Sequence, residues 1–483
     1  MKASKSSTPE KLAAEVVVIG GGGGGMAAAV AAAENGAEVL LLEKQRVPGG
    51  NTAMAEGLFA AESDLQKRLN IDARVEGLFR TAMDFAHWTL DPRVVRVFLE
   101  KSADTVSWLE AKGVVFDGVF PNYPNQPIPT WHLVRGRGVT LIRALIRSYE
   151  ALGGRMLKQC RARQLRTDNK GRVTGVIAES GGREITIAAG SVVIAAGGYG
   201  GNTALVQQYY PGYTETMVMD GAPNMGEGLE MAIAAGAATE GLGILHMFGP
   251  RVPRAPYLSA LAGEPQTLWV NKRGERFADE TVSYRFPISA NAVCRQPDKV
   301  SFTLLDEEMV RKIITEGLTK GLSLMALRAK LPDLPEKLQQ AADKGQVKIA
   351  GSWDGIARWV GAEPRALEAT VNEYNSLCEC GYDTVFGKDR RYLVPLRTPP
   401  YYAVRGGIVF HNTIGGIKIN REMAVLNRQG ESIPGLYAAG VDTGGWEAET
   451  YCQELAGSAF GFAVNSGRIA GENAAAYITA RRG

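Results

Sequence analysis

The sequence predicts an α/β protein in which one domain is interrupted by another, and three observations predict it. The run Val16-Val17-Val18-Ile19 breaks into six glycines, Gly20 to Gly25, and continues as an alanine-rich stretch from Met26. A second apolar run, Val192-Val193-Ile194, also ends in glycines, at Gly197-Gly198, and the same style of strand returns near Gly415 and again at Leu436-Tyr437-Ala438. Between these, residues 246–390 carry more charge and proline, as an inserted domain would. The expected division is a first domain over 1–240, an insert over 241–395, and the first domain resumed over 396–483.

The opening unit reads as strand, tight turn and helix. Gly20, Gly22 and Gly25 occupy the GxGxxG positions of a dinucleotide-binding turn. Gly20 permits the turn out of the strand, Gly22 removes the Cβ that would block a pyrophosphate, and Gly25 lets helix and strand approach. The helix start then faces the phosphates. Glu43 closes the next apolar run, Val39-Leu40-Leu41-Leu42, where a carboxylate can accept both ribose hydroxyl protons. The small-residue loop Pro48 to Gly57 follows. Residues 72–112 are helical in pattern, with Phe79, Met83, Phe98 and Trp108 as core anchors, and another helix is expected over Val139 to Leu152. Short strands follow around 155–160 and 172–177, with Asn169-Lys170-Gly171 as a hairpin turn. In the insert, 268–277 reads as a hairpin, and 305–345 and 363–380 as amphipathic helical stretches. A helix from Ala459 to Ile478 closes the chain.

Composition narrows the function. A chain of 483 residues exceeds one compact core, and its 58 glycines suit many βα turns. The net charge of +3 sets up no strong field for nucleic acid or membrane. Five scattered cysteines, Cys160, Cys294, Cys378, Cys380 and Cys452, read as reduced thiols rather than a disulfide framework or a zinc site, and no CxxCH occurs. The polar start and the lack of a long apolar stretch make the cytoplasm the expected address, without membrane insertion and without a metal.

Taken together, several segments resemble the fumarate reductase/succinate dehydrogenase type of flavoprotein, in the branch with soluble single-chain fumarate reductases and 3-ketosteroid dehydrogenases. The segments are the opening glycines with Glu43-Lys44, Gly49-Gly50-Asn51-Thr52, Ala195-Ala196-Gly197-Gly198, Asn271 to Phe277, Thr413 to Gly416, Gly435 to Gly440, and Gly467 to Gly471. The resemblance implies a Rossmann-like FAD-binding domain interrupted by an α+β capping domain, with substrate held between them over the flavin. It implies FAD contacts at Gly49, Gly50, Asn51, Thr52 and Gly57, at Ala162 for the adenine, and at Ala196, Gly197 and Gly440. Ser458-Ala459-Phe460 would turn the dipole of the last helix toward the flavin pyrimidine. Val441 stands where relatives carry a ribityl-binding glutamate, which leaves Asp442 as its substitute or not. No histidine occurs at 53–57, so non-covalent FAD, released by acid, is expected.

Carried over position by position, the substrate clamp of fumarate reductases is altered. His246 falls at the first substrate histidine. Asn412 replaces the second, with His411 one residue earlier. Glu454 takes the place of the clamp arginine, in a segment, 446–454, that is longer than in fumarate reductases. A carboxylate there repels a dicarboxylate, so fumarate is not the expected substrate. The acid position falls on Tyr284 or, one residue on, Arg285, and the residues of the proton relay become Ala260 and Gly263. Tyr451 is a second phenolic acid candidate. The expected reaction is hydride transfer between flavin and a C=C/C–C bond next to a carbonyl of an uncharged ring compound. The alternatives are a monocarboxylate enoate held by Arg285 or Arg251, and a flavin subunit of an electron-transfer complex. An electron-donating or electron-accepting protein is an expected partner; direction and oligomeric state stay open.

Overall fold

The computed structural model describes residues 10–320 and 330–482. They form two compact units, one of residues up to 211 with 221–246 and 411 onward, the other of 212–220 with 247–410.

The first unit is built on a largely parallel sheet with an antiparallel edge strand. Its order, in residues, is Ala424–Leu426, Ser432–Ala438, Arg183–Ile194, Glu10–Ile19, Val39–Glu43 and Arg155–Lys158. Val17 pairs with Leu40 on one side and Val192 on the other, so the first strand is central and its apolar residues are buried on both faces. The antiparallel hairpin Cys160–Thr167 with Val173–Ser180 extends from Arg183–Ile194, joined by the turn at 168–171. The helix Gly23–Glu34 packs on the last helix, Ser458–Arg482. That crossing is close because Gly467 and Gly471 lack side chains: a Cβ at either would lie 2.2 Å from the carbonyl oxygens of Gly24 and Ala28. The segment 72–112 forms two helices, Val75–Phe85 and Pro92–Ala111, the second capped by the Asp91 carboxylate.

The second unit has its own core. Residues 401–406 pair antiparallel with Ser301–Asp306, which pairs with Leu268–Val270. Leu258, Leu261, Phe302, Leu304, Leu334, Ile356 and Leu367 fill the space between this sheet and its helices. The hairpin at 268–277 has Asn271 Oδ1 accepting from the amides of Arg273 and Glu275. Beneath it Arg276, Glu280, Asp383 and Lys388 form a buried ion network, with Arg276–Glu280 and Arg276–Asp383 both at 2.9 Å and Lys388–Glu280 at 3.0 Å. The stretch 305–345 is not one helix: Glu307–Glu316 stops at Gly317, which has φ +91°, and a second helix spans Leu334–Asp343. The part of that stretch at 321–329 lies outside the described residues.

The unit boundaries fall later than 240 and 395. Thr239–Glu240 pairs with Gly416–Ile417, and the Ile414 amide donates to the Ile244 carbonyl at 2.9 Å, which keeps the chain in the first unit through His246. Pairing of 401–406 with Ser301–Asp306 holds the chain in the second unit until Phe410. Residues 212–220 also belong there, because Val218–Met219 pairs with Val409–Phe410. Among the described residues no helix is long and apolar enough to cross a membrane.

Candidate active site

The glycine turn has the shape of a phosphate cradle. A Cβ on Gly25 would lie 1.8 Å from the Gly20 carbonyl oxygen, and one on Gly20 2.3 Å from that of Ala195, so both positions are packed shut. A Cβ on Gly22, by contrast, would meet nothing nearer than Gly49 O at 3.9 Å, and one on Gly50 nothing nearer than Gly22 Cα at 3.7 Å. Gly22 and Gly49 bridge in parallel, so this open space lies at the start of helix Gly23–Glu34, which has no side-chain cap. Thr52 Oγ1 accepts from the Gly23 amide at 3.1 Å and ties the 49–54 turn to that helix start. Glu43 lies at the strand end, one carboxylate oxygen accepting from Gly21 N at 2.7 Å and the other from Gln45 N at 2.6 Å. Each oxygen keeps a lone pair for a ribose hydroxyl. An open, glycine-walled helix start beside a fixed carboxylate fits an adenine dinucleotide such as FAD.

Several residues expected to touch the cofactor also make bonds within the protein. Both ends of the Asn51 amide are engaged by backbone, donating to His411 O at 3.0 Å and accepting from Ala222 N at 2.6 Å. Lys44 pairs with Glu227 at 3.1 Å and donates to Pro223 O. Asp442 is buried and accepts from the amides of Gly197 (2.7 Å) and Gly198 (2.9 Å), just past the end of strand Arg183–Ile194. It therefore serves that strand end. Gly57 is a packing site: its Cβ would meet His132 O and Trp131 Nε1, both at 2.7 Å. Ala162 sits in the hairpin opposite Ala178, next to a bulge that takes Arg163 out of register. Ala196 follows the strand into the Gly197 turn, whose φ is +94°, and the Gly440 amide donates to Ser466 Oγ at 2.9 Å. Phe460 is buried in the first turn of the last helix.

Three of the sequence-predicted catalytic residues come together in the first unit. His246 lies near the start of strand Leu245–Arg251, and Asn412 near the end of strand Tyr401–Thr413. Tyr451 lies in the segment 446–455, which Trp446 anchors by stacking on Phe462 (4.2 Å) and donating to Thr443 O. The phenol ring stacks on the His246 imidazole with centroids 4.1 Å apart, and His411 lies edge-on to His246 at 6.3 Å. Burial, then the neighbouring His411, push His246 down to about 3, against the Asn412 hydrogen bond. The imidazole is therefore neutral at neutral pH. Burial likewise pushes the Tyr451 phenol up, so it keeps its proton.

Tyr284 and Arg285 belong to the second unit, at the end of the short helical turn Glu280–Tyr284. Tyr392 OH donates to Tyr284 OH at 3.4 Å, and burial is the first cause that pushes Tyr284 up. Nearby, Lys320 donates to Ser283 O, and burial with the Arg251 charge lowers it to about 7. The Glu264 carboxylate accepts from the amide of Thr319 at 3.0 Å. Phe248 stacks on Phe286 at 4.4 Å, with the Arg251 guanidinium 5.6 Å from the Phe248 centroid.

Sequence reasoning missed two features of the 446–455 segment. Glu447, 5% exposed, accepts from Cys452 N at 3.0 Å and Ser458 Oγ at 3.2 Å, and burial pushes it up to about 8. A glutamate set among Trp446, Tyr451 and Cys452 was the available signal. Glu454 accepts from the Tyr123 phenol, while its carbonyl accepts from Gln126 Nε2 at 3.1 Å, so the loop at 121–130 holds it.

Comparison with known proteins agrees with the cradle. A family model described as an FAD binding domain matches residues 15–453. The chain is 34% identical over 460 residues to a vinyl phenol reductase of Lactiplantibacillus plantarum, covering 92% of each chain. It is 29% identical to a fumarate reductase (cytochrome) of Shewanella frigidimarina, covering 92% of this chain and 74% of that one. Among solved structures, the 3-ketosteroid-Δ4-(5α)-dehydrogenase of Rhodococcus jostii RHA1 in complex with 4-androstene-3,17-dione superposes with a TM-score of 0.77 at 26% identity. That match covers 98% of this chain and 99% of that one. With its cradle, its inserted second unit and these relatives, the chain belongs to the FAD-binding flavoproteins of the fumarate reductase type, oxidoreductases of C=C and CH–CH bonds.

Proposed function

We propose that the protein transfers a hydride to or from a C=C/C–C bond conjugated with a carbonyl or an aromatic ring of a largely uncharged cyclic substrate, and that fumarate is not that substrate. The observation that carries this reading is the neutrality of the His246–Asn412–Tyr451 group. Its imidazole is uncharged because burial and His411 lower it to about 3, and its other two members are an amide and a protonated phenol. A group so composed offers hydrogen bonds and aromatic surface to a ring bearing a hydroxyl or carbonyl, and no cation to a dicarboxylate. The likeness to a vinyl phenol reductase and to a steroid-bound dehydrogenase supports a ring substrate.

Non-covalent FAD, when bound, supplies the hydride chemistry. The residues of the chain then have two tasks. Amide and imidazole groups orient the ring substituent, and a phenol, Tyr451 or Tyr284, provides the proton for the carbon that does not receive the hydride. Both phenols are pushed above their ordinary range by burial, so both hold a proton at neutral pH. Arg251, beside Phe248, favours a second reading in which a single carboxylate, as in an arylacrylate, is bound.

The test is anaerobic reoxidation of dithionite-reduced holoenzyme by 4-vinylphenol, 2-cyclohexenone, cinnamate and fumarate. Fast reoxidation by the first two, with fumarate slower by at least about 100-fold, is expected for a neutral site, since leaving a charge unpaired on binding costs several kcal/mol. Preference for cinnamate favours the Arg251 reading. Fast reoxidation by fumarate overturns both.

A further inference from the structure

The segment 446–455 and the start of the last helix join Tyr451 to two polar groups that the reading above does not use, Glu447 and Ser458. Ser458 Oγ lies 3.2 Å from Glu447 Oε1, and the same hydroxyl is hydrogen-bonded to the Tyr451 phenol. The Ala459 amide, in the first turn of the helix Ser458–Arg482, donates to Tyr451 OH at 3.4 Å. All the members are buried or nearly so: Tyr451 is 4% exposed, Glu447 5% and Ser458 2%. A carboxyl, a hydroxyl and a phenol are therefore joined in a line, with the phenol oxygen next to a helix-start amide.

We propose that Glu447 is the proton store for Tyr451, returning a proton through Ser458 each time the phenol has given one to the substrate carbon. This rests on the alkene reaction proposed above. In the reductive direction the hydride adds to one alkene carbon and the Tyr451 O–H bond breaks to protonate the other. The tyrosinate takes the Ser458 proton, Ser458 takes the Glu447 proton, and the Glu447 carboxylate is reprotonated from solvent. No further oxidant or reductant enters.

Three physical arguments support this direction of flow. Glu447 keeps its proton at neutral pH because burial dominates, and only the Cys452 amide and the Ser458 hydroxyl work against it. A serine hydroxyl both donates and accepts and turns freely between the two. The negative charge left on Tyr451 develops where the Ala459 amide and the positive end of a 25-residue helix lie, so the tyrosinate is stabilised as it forms. The titratable groups facing Glu447 are Tyr451 and Cys452, both pushed up by burial and by Glu447 itself. Glu240, which faces neighbouring Gly445, is also raised by burial. Glu447 acts through Tyr451 and is a positioning residue in that sense; Tyr451 is the catalytic residue.

The experiment follows multiple-turnover reduction of 4-vinylphenol or 2-cyclohexenone by the holoenzyme, with dithionite as electron donor, across pH 6–10. It compares the native chain with Y451F, E447Q, S458A and the double variant Y451F/E447Q, each first checked for an unchanged flavin spectrum. Y451F is expected to slow the proton-dependent step by about 100-fold or more, the usual size of a general-acid contribution. The native rate should fall as pH rises through about 8, where Glu447 loses its proton. E447Q should be slower at pH 7 and should lack that fall, and S458A should resemble it. The double variant should be no slower than Y451F alone, because the store has no use without the donor. A native pH profile in E447Q, or additive losses in the double variant, overturns the proposal while leaving the alkene reaction standing. Failure of every alkene to reoxidise the native enzyme removes the reaction and the relay with it.

Discussion

Gly22 and Gly25 look alike in the sequence, three residues apart in one glycine run, yet the structure gives them opposite tasks. A Cβ at Gly25 would sit 1.8 Å from a backbone oxygen, so Gly25→Ala forces strand and helix apart. Gly22→Val adds its side chain to open space bounded at 3.9 Å, and the fold has no reason to change. The expected outcome is a folded but colourless Gly22→Val protein, and a Gly25→Ala protein that loses its cooperative melt as well as its colour. The flavin-to-protein absorbance ratio read beside circular dichroism on heating separates the two. Both residues were legible as a dinucleotide turn, because the turn is local. Asn51 was legible only as part of a loop, since its partners are the backbone of Ala222 and His411, 171 and 360 residues away. Glu447 was missed for a related reason: its state is set by burial, which no short window of sequence displays.

The elements that position the site depend on how closely the helices Gly23–Glu34 and Ser458–Arg482 approach. Alanines on the first and glycines on the second bring them together, with Gly467 against Gly24 and Gly471 against Ala28. The last helix carries Ser458 and Ala459 at its start, so a change at its crossing point is felt at Tyr451. Gly467→Val drives a side chain into a gap of 2.2 Å, and overpacking of this kind costs about 1–3 kcal/mol or more. A lower melting temperature together with weaker FAD retention is expected. Lower stability with unchanged FAD affinity would show that the helix start is held from its own end, by Glu447 and Trp446. Both helices were readable from the sequence, the first as an alanine-rich stretch after the glycines. The bonds that set the 446–455 segment were not, because this segment has no repeat and is held by single contacts such as Trp446 on Phe462 and Tyr123 to Glu454.

At the scale of the whole molecule, the cofactor and the insert are separable in the chain. Gly22, Glu43, Gly50, Thr52, Gly197, Gly440 and Ser458 all belong to the first unit, which has its own largely parallel sheet, while the second has its own sheet and apolar core. The first unit leaves at His246 and resumes at His411, whose rings lie 6.3 Å apart, so a few residues can join them. Replacing 212–220 and 247–410 with short glycine-serine linkers should therefore leave a folded protein that binds about one FAD per chain. Adding FAD should raise its melting temperature, because a ligand that binds only the folded state stabilises it by mass action. The same change removes Tyr284, Arg251 and Lys320 and keeps Tyr451, Ser458 and Glu447. Continued turnover of 2-cyclohexenone by the shortened protein with dithionite as electron donor, with the fall in rate above pH about 8 intact, would place the proton supply wholly in the first unit. FAD binding without turnover would assign to the second unit the positioning of substrate. A shortened protein that folds but takes up no FAD would show that residues of 212–220 or 247–410 hold the cofactor, against the placement of the cradle.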